Sequence, residues 1–463
     1  MFVNRVRELK FLQEHFASDS AELLVIYGRR RVGKTELLRT FCQDKPTIFY
    51  VADLGTEENA LAEFTRQISG HVYANEAILS PFATWDGALR FLAQQAQNER
   101  IIVVFDEFTY QIGINDAVPS IIQKVWDETL GHSRIMLVLC GSYVGMMEQE
   151  VLAYRSPLYG RRTGQWQLQP FTFWEARQLL PAFSAEEMVR AYAVLGGVPA
   201  YLRQFDDRVP VMANIERHIL ATGAFLYDEP RFLLLQELRD PSRYFSILEA
   251  IAGGRTRLNE IAQASGIAAT SVNFYLKTLQ EMALVARIVP ATEKNPAKSK
   301  LGLYQLIEHY FRFWFRFVYP YRSLLERGET AQVLPRVTVQ LDQFIGSAFE
   351  AICREAIWRI AGSGDLSFLP HTVGNWWDRQ NEIDVVALGE ESVLFGECKW
   401  SINPVGVDVL DALKQKAQPL IQKYQWPQVN YVLFARTGFT PALQERAAQE
   451  DIILVDMDRL WQL

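Results

Sequence analysis

The feature that most constrains the fold of this chain is a glycine-rich segment between a short apolar run and a helical pattern. Residues 23–27 are apolar and predict a buried strand, and residues 36–42 predict a helix. A strand that leads through such a loop into a helix opens an α/β domain with a parallel sheet. The loop fits the pattern G-x-x-x-x-G-K-[ST] with Gly28, Arg29, Arg30, Arg31, Val32, Gly33, Lys34 and Thr35.

This loop pattern predicts a phosphate-binding site. Its glycines let backbone N–H groups approach phosphate oxygens, and the N-terminus of the following helix favours anions. The Lys34 ammonium is expected to reach the outer phosphates, and the Thr35 hydroxyl is expected to bind magnesium. We therefore predict that ATP and Mg²⁺ bind along the loop, with Glu36 as a further contact.

Two carboxylates follow a second predicted strand. Residues 101–105 are apolar, and Asp106 and Glu107 come directly after them. Ligands bind at the carboxyl ends of parallel strands, so Asp106 is predicted to hold the magnesium shell and Glu107 to polarise the attacking water. Hydrolysis of ATP, and not binding alone, is therefore predicted. Ser142 follows the apolar run 135–140 and is expected to sense the γ-phosphate or align the water, with a turn-capping serine as the alternative.

The chain of 463 residues is too long for one hydrophobic core, because cores stop growing at about 250–300 residues. Apolar runs alternate with helical segments at first, and amphipathic helices then replace the strands. The predicted fold class is α/β, with several domains in one order. They are a P-loop NTPase core with a parallel sheet at 1–172, a helical lid that closes over the nucleotide at 173–239, a winged helix-turn-helix at 240–308, an aromatic-rich connector at 309–340 and a smaller α/β domain at 341–463.

The predicted winged helix consists of three helices and a hairpin, at 244–252, 258–264, 271–281 and 285–289 with 303–306. Its recognition helix offers Ser271, Asn273 and Lys277 to a groove. Phe274 and Leu276 are expected to face the core. These side chains give little chemistry for reading bases.

The winged-helix region is basic within an acidic protein. The whole chain has a net charge of -7, whereas residues 255–300 carry three acidic side chains and seven basic ones, which are Arg255, Arg257, Lys277, Arg287, Lys294, Lys298 and Lys300. This surplus favours contact with DNA phosphates more than sequence readout. The alternative is a winged helix that contacts only protein.

The last domain places two carboxylates and a lysine on neighbouring predicted strands. Asp384 lies in the strand predicted at 383–388, and Glu397 and Lys399 lie at the end of the strand predicted at 393–398. Residues two apart in a strand share a face, so Glu397 and Lys399 project together towards Asp384. Such a set predicts one or two Mg²⁺ or Mn²⁺ ions that activate water against a phosphodiester. The alternative is an ion-paired cluster in a domain that serves only for interaction.

With these motifs, the chain resembles the archaeal-type AAA+ ATPases, which pair a P-loop core with a winged helix and a restriction-endonuclease-like C-terminal domain. The likeness spans essentially the whole chain. Beyond the P-loop, it rests on residues 2–5, 8–9, 105–108, 141–142, 146, 156–162 and 196–199. It implies an ATP-driven switch or motor, in which the segment near residue 2 lies over the adenine and residues 196–199 belong to the lid.

The C-terminal motif resembles the PD-(D/E)xK nuclease core. That resemblance implies a metal-binding glutamate from the preceding helix, with Glu350 as the best match and Glu355 as a substitute. Arg161 and Arg162 are candidates for an arginine finger, because a guanidinium stabilises charge on the γ-phosphate during hydrolysis. A solvated or ion-paired loop is the alternative. If either arginine acts on a neighbouring copy, the protein forms a homo-oligomer. Arg203 is the candidate for a lid sensor arginine.

Bulk properties narrow the class of protein further. The apolar runs fall far short of the roughly 20 residues needed to cross a bilayer, and the N-terminus lacks the apolar segment of a secretion signal, so we expect a cytoplasmic protein without membrane contact. The four cysteines are isolated and predict neither a disulfide framework nor a zinc site. The predicted function is an ATP-hydrolysing protein that controls a DNA-directed, metal-dependent nuclease domain. The alternative is an ATP-driven regulator or scaffold without nuclease chemistry.

Overall fold

The computed structural model describes residues 2–72, 80–97, 99–238 and 240–463. The chain forms two compact units, of which unit 1 is Met1–Phe171 with Val198–Ala200 and unit 2 is Thr172–Gly197 with Tyr201–Leu463. Met1 and Arg239, where two predicted domain borders fall, lie outside the described residues. Within the described ranges, no helix is both long and apolar enough to span a membrane.

Unit 1 is built around a five-stranded parallel sheet. Its strands are β1 (Glu22–Tyr27), β2 (Thr47–Val51), β3 (Ile101–Asp106), β4 (Ile135–Gly141) and β5 (Gly164–Gln167). Its helices are α1 (Val6–Phe16), α2 (Lys34–Cys42), α3 (Glu57–Val72), α4 (Trp85–Gln95), α5 (Phe108–Ile114), α6 (Val118–Glu128) and α7 (Val144–Met147). The strand order is β2-β3-β4-β1-β5, and all neighbouring strands are parallel. The predicted parallel-sheet core is confirmed.

The central strands of this sheet are buried on both faces, which explains why they are continuous apolar runs. In β1, Leu23 and Val25 pack into one core layer, whereas Leu24 and Ile26 pack into the other. Successive strand residues point in opposite directions, so one strand contributes to both layers. The carboxyl ends of β1, β4 and β3 consequently lie side by side, and the residues that follow them are neighbours.

After β5 the chain forms short helices, a winged helix-turn-helix and a second sheet. The short helices are α8 (Phe173–Ala176), α9 (Ala185–Leu195), α10 (Pro199–Leu202), α11 (Val211–Ile215) and α12 (Glu229–Glu237). The next elements are α13 (Pro241–Ala252), α14 (Leu258–Ser265), α15 (Ala269–Glu281), β6 (Val285–Ile288), β7 (Leu303–Leu306), α16 (His309–Phe317), α17 (Arg322–Leu325) and α18 (Thr330–Ser363). The last are β8 (Thr372–Trp377), β9 (Glu382–Leu388), β10 (Ser392–Lys399), α19 (Val407–Tyr424), β11 (Gln428–Ala435), α20 (Pro441–Glu450), β12 (Ile453–Val455) and α21 (Met457–Gln462).

The predicted winged helix is present as three helices and the antiparallel hairpin β6-β7. Helix α15 buries Val272, Leu276 and Leu279 on one face. The prediction that Phe274 faces the core is wrong, because this residue is 66% exposed. A helix has 3.6 residues per turn, so a residue midway between Val272 and Leu276 points away from the face that they share. Phe274 therefore lies on the outer surface of the recognition helix.

The second sheet has the strand order β12-β11-β10-β9-β8. Strands β10, β11 and β12 are parallel, and β8, β9 and β10 are antiparallel, so the sheet is mixed. Helix α19 supplies Leu410, Leu413 and Ala417 to the core on one face of this sheet. Helix α18 is continuous from Thr330 to Ser363, so the domain border predicted at residue 341 falls inside it.

Helix α16 carries most of the predicted aromatic connector and is buried within unit 2. Phe313 and Trp314 are fully buried. The Trp314 indole Nε1 donates to the Tyr227 carbonyl oxygen at 2.6 Å, and the Tyr310 hydroxyl donates to the Leu226 carbonyl oxygen. The connector is thus a core element that holds the chain just before α12.

Arg436, directly after β11, joins three parts of unit 2. Its Nη2 contacts Glu186 of α9 at 2.6 Å, and its Nη1 contacts Asp342 of α18 at 3.1 Å. The guanidinium lies 5.0 Å from the ring centroid of Trp400, whose Nε1 donates to Asp342 at 3.3 Å. We call these four residues the Arg436 cluster. It connects a helix of the predicted lid to the second sheet.

Candidate ATP site and C-terminal carboxylate cluster

Two glycines give the loop after β1 its shape. Gly28 has φ 149° and Gly33 has φ 94°, in a region that L side chains rarely adopt, and Arg31 also has a positive φ of 68°. A Cβ atom on Gly28 would lie 2.4 Å from the Leu168 carbonyl oxygen. Gly33 directly precedes α2, whose first N–H groups have no partner within the helix. The loop therefore has the backbone shape of an anion site.

Lys34 and Thr35 begin α2 next to the end of β3. Lys34 is buried, and its Nζ donates to the carbonyl oxygens of Gly28 at 2.8 Å and Arg29 at 3.0 Å. The Thr35 hydroxyl donates to Asp106 Oδ2 at 2.7 Å. Hydroxyl and carboxylate oxygens are hard ligands that suit Mg²⁺. The structure therefore brings together the predicted magnesium pair, Thr35 and Asp106.

Glu107 is held in an unusual backbone conformation beside Ser142. Its φ of 53° and ψ of 43° lie in the left-handed region, which a non-glycine residue rarely adopts. The Ser142 hydroxyl donates to Glu107 Oε1 at 2.7 Å. In the described part of the chain, Glu107 Oε2 is buried without a hydrogen-bond partner. One carboxylate oxygen is thus fixed and the other is open to accept a proton.

The other residues predicted to line the loop are placed differently. Val32 packs into the core, and Arg29 is buried. Arg30 donates to the Tyr110 hydroxyl at 2.6 Å. Glu36 is exposed and lines a groove of about 1050 Å³ between α2, β2 and α3. Its side chain therefore faces this groove and not the loop.

Arg5 is a buried residue to which the sequence assigned no role. Its Nη2 donates to the carbonyl oxygens of Val32 and Gln169, both at 2.9 Å, and its guanidinium lies 4.2 Å from the ring centroid of Phe171. Nη1 contacts Glu8 at 3.1 Å. Arg5 therefore ties the N-terminal segment to the loop and to the chain after β5. The signal available in the sequence was its place in the segment 2–5.

The arginine-finger candidates follow the π-helical turn after α7. Arg161 contacts both carboxylate oxygens of Asp127, with Nε at 2.9 Å and Nη2 at 2.8 Å. These hydrogen bonds raise the pKa of Arg161 and lower the pKa of Asp127. Arg162 Nη1 donates to the Leu152 carbonyl oxygen at 2.8 Å. Arg203, the candidate sensor, is exposed and belongs to unit 2. Within one chain, Arg161 is ion-paired to α6.

Glu350 of α18 and Asp384 of β9 are brought together in unit 2. Burial and then the charge of Asp384 raise the pKa of Glu350 to about 7. Burial and then the charge of Glu397 raise the pKa of Asp384 to about 6, although the Cys398 N–H donates to Asp384 Oδ2 at 2.9 Å. Arg354 Nη1 donates to the Asp384 carbonyl oxygen at 2.8 Å. Both carboxyl groups consequently titrate near neutral pH.

Glu397 is buried and paired with two lysines. Lys399 Nζ lies 2.8 Å from Oε1, and Lys416 Nζ lies 3.1 Å from each carboxylate oxygen. Burial alone would lower the pKa of Lys399, but the hydrogen bond and charge of Glu397 raise it. Lys416 is on α19, and sequence reasoning missed it because no motif marks it.

The three carboxylates predicted as metal ligands, Glu350, Asp384 and Glu397, do not form a ready metal centre. Across the described ranges, no group of three or more His, Cys, Asp or Glu side chains is arranged to hold a metal ion. The physical reason is that Glu397 is occupied by Lys399 and Lys416, while Asp384 Oδ2 accepts a backbone N–H. The residues present therefore do not fit the predicted ion.

Glu355, the predicted substitute for Glu350, faces another part of unit 2. Burial raises its pKa to about 7, against the hydrogen bond from the Phe173 backbone and the charge of Arg359. Its carboxyl group thus contacts the start of α8. Glu350 is the glutamate whose charge interacts with Asp384.

The parallel sheet and the residues gathered at its carboxyl edge define a P-loop ATP-binding domain. Three family models match successive parts of the chain: an ATPase domain predominantly from Archaea at residues 2–205, an IclR helix-turn-helix domain at 241–288, and archaeal and bacterial proteins of unknown function at 314–411. The predicted ATPase domain and helix-turn-helix are confirmed.

The chain belongs to the same family as uncharacterized protein MJECL04 of Methanocaldococcus jannaschii, which is 33% identical over 403 residues, or 86% of this chain and 88% of that protein. Uncharacterized ATP-binding protein MJ0423 of the same organism is 51% identical over 45 residues, which are 10% of this chain and 76% of that protein. The Walker-type ATPase PABY2304 of Pyrococcus abyssi superimposes with a TM-score of 0.52 at 23% identity over 68% of this chain and 96% of that chain. This last likeness supports the fold alone.

Proposed function

We propose that this protein hydrolyses ATP and uses the ATP cycle to control a C-terminal domain that acts on nucleic acid. The observation that carries the ATPase part is the geometry of Glu107. One oxygen of its carboxylate is fixed by Ser142, and the other is buried and open in the described structure. A structural acid at this position would have both oxygens paired, because an unpaired buried carboxylate oxygen is costly.

Each residue of the site has a distinct role in this proposal. The loop N–H groups and the Lys34 ammonium bind the phosphates of ATP. A magnesium ion bound with ATP would neutralise phosphate charge, and Thr35 and Asp106 are the residues that would hold it. Glu107 orients a water molecule at its open oxygen and accepts its proton, and Ser142 keeps the carboxylate in place.

Between the two arginine-finger candidates, the contacts favour Arg162. Arg161 would have to give up a two-point ion pair with Asp127, and such pairs are among the stronger polar contacts. Arg162 would give up a hydrogen bond to the Leu152 carbonyl group. An arginine that reaches the γ-phosphate of a neighbouring copy requires a homo-oligomer, which we expect to form with ATP.

The charges of the wing support binding to duplex DNA. Lys294, Lys298 and Lys300 are exposed in the loop between β6 and β7. Arg287 instead donates to the carbonyl oxygens of Pro296, at 2.8 Å, and Ser299, so it shapes the wing from within. The three lysines are therefore the groups that would contact DNA phosphates.

The order of elements supports a nuclease-like C-terminal domain. A helix, three antiparallel strands, a crossover helix and a parallel strand follow one another as α18, β8, β9, β10, α19 and β11. Asp384 lies on the middle of the three strands, and Glu397 and Lys399 lie on the third. We assign no metal-dependent step to these residues, because Glu397 is bound by two lysines.

That same ion pairing favours a second candidate function, in which the C-terminal domain only binds a partner. A buried carboxylate held by two ammonium groups is already neutralised and does not need a metal ion. In this case ATP controls binding by the domain, and no bond is cleaved.

Two variants test the ATPase part. Lys34→Ala should abolish tight ATP binding, whereas Glu107→Gln should keep binding and reduce steady-state hydrolysis by about 100-fold or more. Glu36→Gln is the matched control, because the Glu36 side chain faces the groove beside β2. Normal hydrolysis by the Glu107→Gln variant would disprove the assignment of the water-activating residue.

Cleavage of DNA separates the two candidate functions. Single-stranded and duplex DNA should be incubated with the full chain in Mg²⁺ or Mn²⁺, with and without ATP, beside Asp384→Ala and Lys399→Ala variants. Cleavage that is lost in both variants supports a nuclease controlled by ATP. No cleavage by the wild type would favour the ATP-controlled binding domain.

A further inference from the structure

A groove of about 650 Å³ lies within unit 2 along one face of α18. This face presents Ser347, Glu350, Arg354 and Trp358, which recur at helical spacing. The opposite walls come from β7, the start of α16 and β8. The groove therefore leads directly to Glu350, the glutamate beside Asp384.

The chemistry of the groove combines an exposed aromatic ring with two guanidinium groups. Trp358 is 49% exposed and Ile307, on the β7 side, is 44% exposed, so both have apolar surface to offer. Arg312 is fixed by a hydrogen bond of 2.6 Å to the Ser347 hydroxyl, and Arg354 lies 3.7 Å from Glu350. An aromatic ring beside arginines is the combination with which proteins stack nucleobases and bind the phosphates between them.

Two buried polar atoms on the wall of the groove have no partner in the described structure. They are His309 Nδ1 and Arg312 Nε. Burial lowers the pKa of His309 to about 3, so its ring is neutral at physiological pH and Nδ1 can accept a hydrogen bond when the proton is on Nε2. An unpaired acceptor and an unpaired donor side by side suit a ligand that carries both functions, as the edge of a nucleobase does.

The size of the groove decides between single-stranded and duplex ligands. Sites of about 300–1,000 Å³ fit small molecules, whereas the major groove of a DNA duplex alone is about 12 Å wide. The wing also limits access from one side, because the Ala291 N–H donates to the Asn375 carbonyl oxygen at 2.8 Å. A Cβ on Gly374 would lie 3.2 Å from the Ala291 side chain, so the two segments are in close contact.

The acidic residues of the groove do not exclude a phosphate chain. Glu355 contacts the start of α8, and Glu350 has a raised pKa because it is buried near Asp384. The Arg312 guanidinium, although burial lowers its pKa to about 10, still carries its charge at neutral pH. At neutral pH the groove therefore has two cationic groups against a partly protonated Glu350 and the exposed Glu382.

We propose that this groove binds a single-stranded nucleic-acid segment, with one base stacked on Trp358 and the adjoining phosphate near Arg312 and Arg354. The proposal rests on the proposed function, because it supplies the substrate class for the C-terminal domain. Duplex DNA bound at the wing would reach Glu350 and Asp384 only through an unpaired end or a base turned out of the stack.

Binding of a short fluorescein-labelled oligothymidylate to the full chain tests the proposal. Fluorescence anisotropy is measured in EDTA without ATP, so that neither cleavage nor hydrolysis contributes. Trp358→Ala should weaken binding by about fivefold or more, and Trp358→Phe should restore most of it. Val339→Ala is the matched control, since Val339 is 84% exposed on the same helix and does not line the groove. Circular dichroism checks that each variant is folded.

The outcomes separate this site from the wing and from the nuclease question. Equal affinity of the Trp358→Ala variant and the wild type, or no binding by the wild type, would overturn the proposal. Loss of oligothymidylate binding in a Lys294→Ala, Lys298→Ala, Lys300→Ala variant with no effect of Trp358→Ala would assign the single strand to the wing. Binding through Trp358 without cleavage in Mn²⁺ would keep the groove and refute only the nuclease.

Discussion

Replacing Glu350 by glutamine should remove part of the pH dependence of the stability of unit 2. Burial and the nearby Asp384 raise the pKa of Glu350 from 4.5 to about 7. A carboxyl group that binds its proton more tightly when folded stabilises the fold fully below its unfolded pKa, and this contribution is lost as the pH rises through 7. Between pH 5 and pH 8, the loss amounts to about 2.5 kcal/mol of unfolding free energy.

Urea unfolding followed by tryptophan fluorescence measures this effect. Of the 11 tryptophans, three (Trp85, Trp126 and Trp166) lie in unit 1, so 11 - 3 leaves eight that report on unit 2. The free energy of unfolding should fall between pH 5 and pH 8 by about 2.5 kcal/mol less in Glu350→Gln than in the wild type. Glu445→Gln, on an exposed position of α20, should keep the wild-type dependence.

A Glu350→Gln variant with the wild-type pH dependence would refute this reasoning. It would mean that the Glu350 carboxyl group is solvated and does not interact with Asp384. The same result would weaken the proposal that the groove along α18 leads to a buried carboxyl pair.

Three further predictions concern the ATP site and the wing. Ser142→Ala should lower single-turnover ATP hydrolysis by about tenfold with unchanged ATP affinity, because Glu107 loses a hydrogen bond to its charged group; an unchanged rate would contradict this role. Gly28→Ala should abolish ATP binding in calorimetry, since its Cβ would lie 2.4 Å from the Leu168 carbonyl oxygen, whereas Gly70→Ala, with no atom within 4 Å, should bind normally. Replacing Lys294, Lys298 and Lys300 by alanine should reduce the salt dependence of duplex binding by about one unit of log–log slope for each DNA phosphate that a lysine no longer neutralises. An unchanged slope would place the DNA elsewhere.

The ATP site could be predicted from the sequence because its strands are buried on both faces. Continuous apolar runs identified β1, β3 and β4, and parallel strands place their carboxyl ends at one edge. The contacts of Thr35 with Asp106 and of Glu107 with Ser142 follow from that arrangement. What the sequence could not give was the left-handed backbone of Glu107, which depends on the turn between β3 and α5.

Short and peripheral elements could not be predicted in the same way. β5 has four residues and β12 has three, and the strand length is too small for a periodic pattern to emerge. Phe274 was placed wrongly because an aromatic residue in a helix was counted as core without regard to its phase. Lys416 reaches Glu397 from a different element, and such a contact depends on the tertiary fold.

The continuity of α18 and the Arg436 cluster determine which piece of this chain can be inherited or transplanted as a whole. A fragment that starts at residue 341 would begin inside a helix and would separate Arg436 from Glu186, leaving a mostly buried guanidinium with half of its partners. Removing one partner of a buried pair costs several kcal/mol, so such a fragment should be aggregation-prone or unfolded. Recombination between relatives should accordingly exchange α9, α18 and the second sheet together, as one cassette.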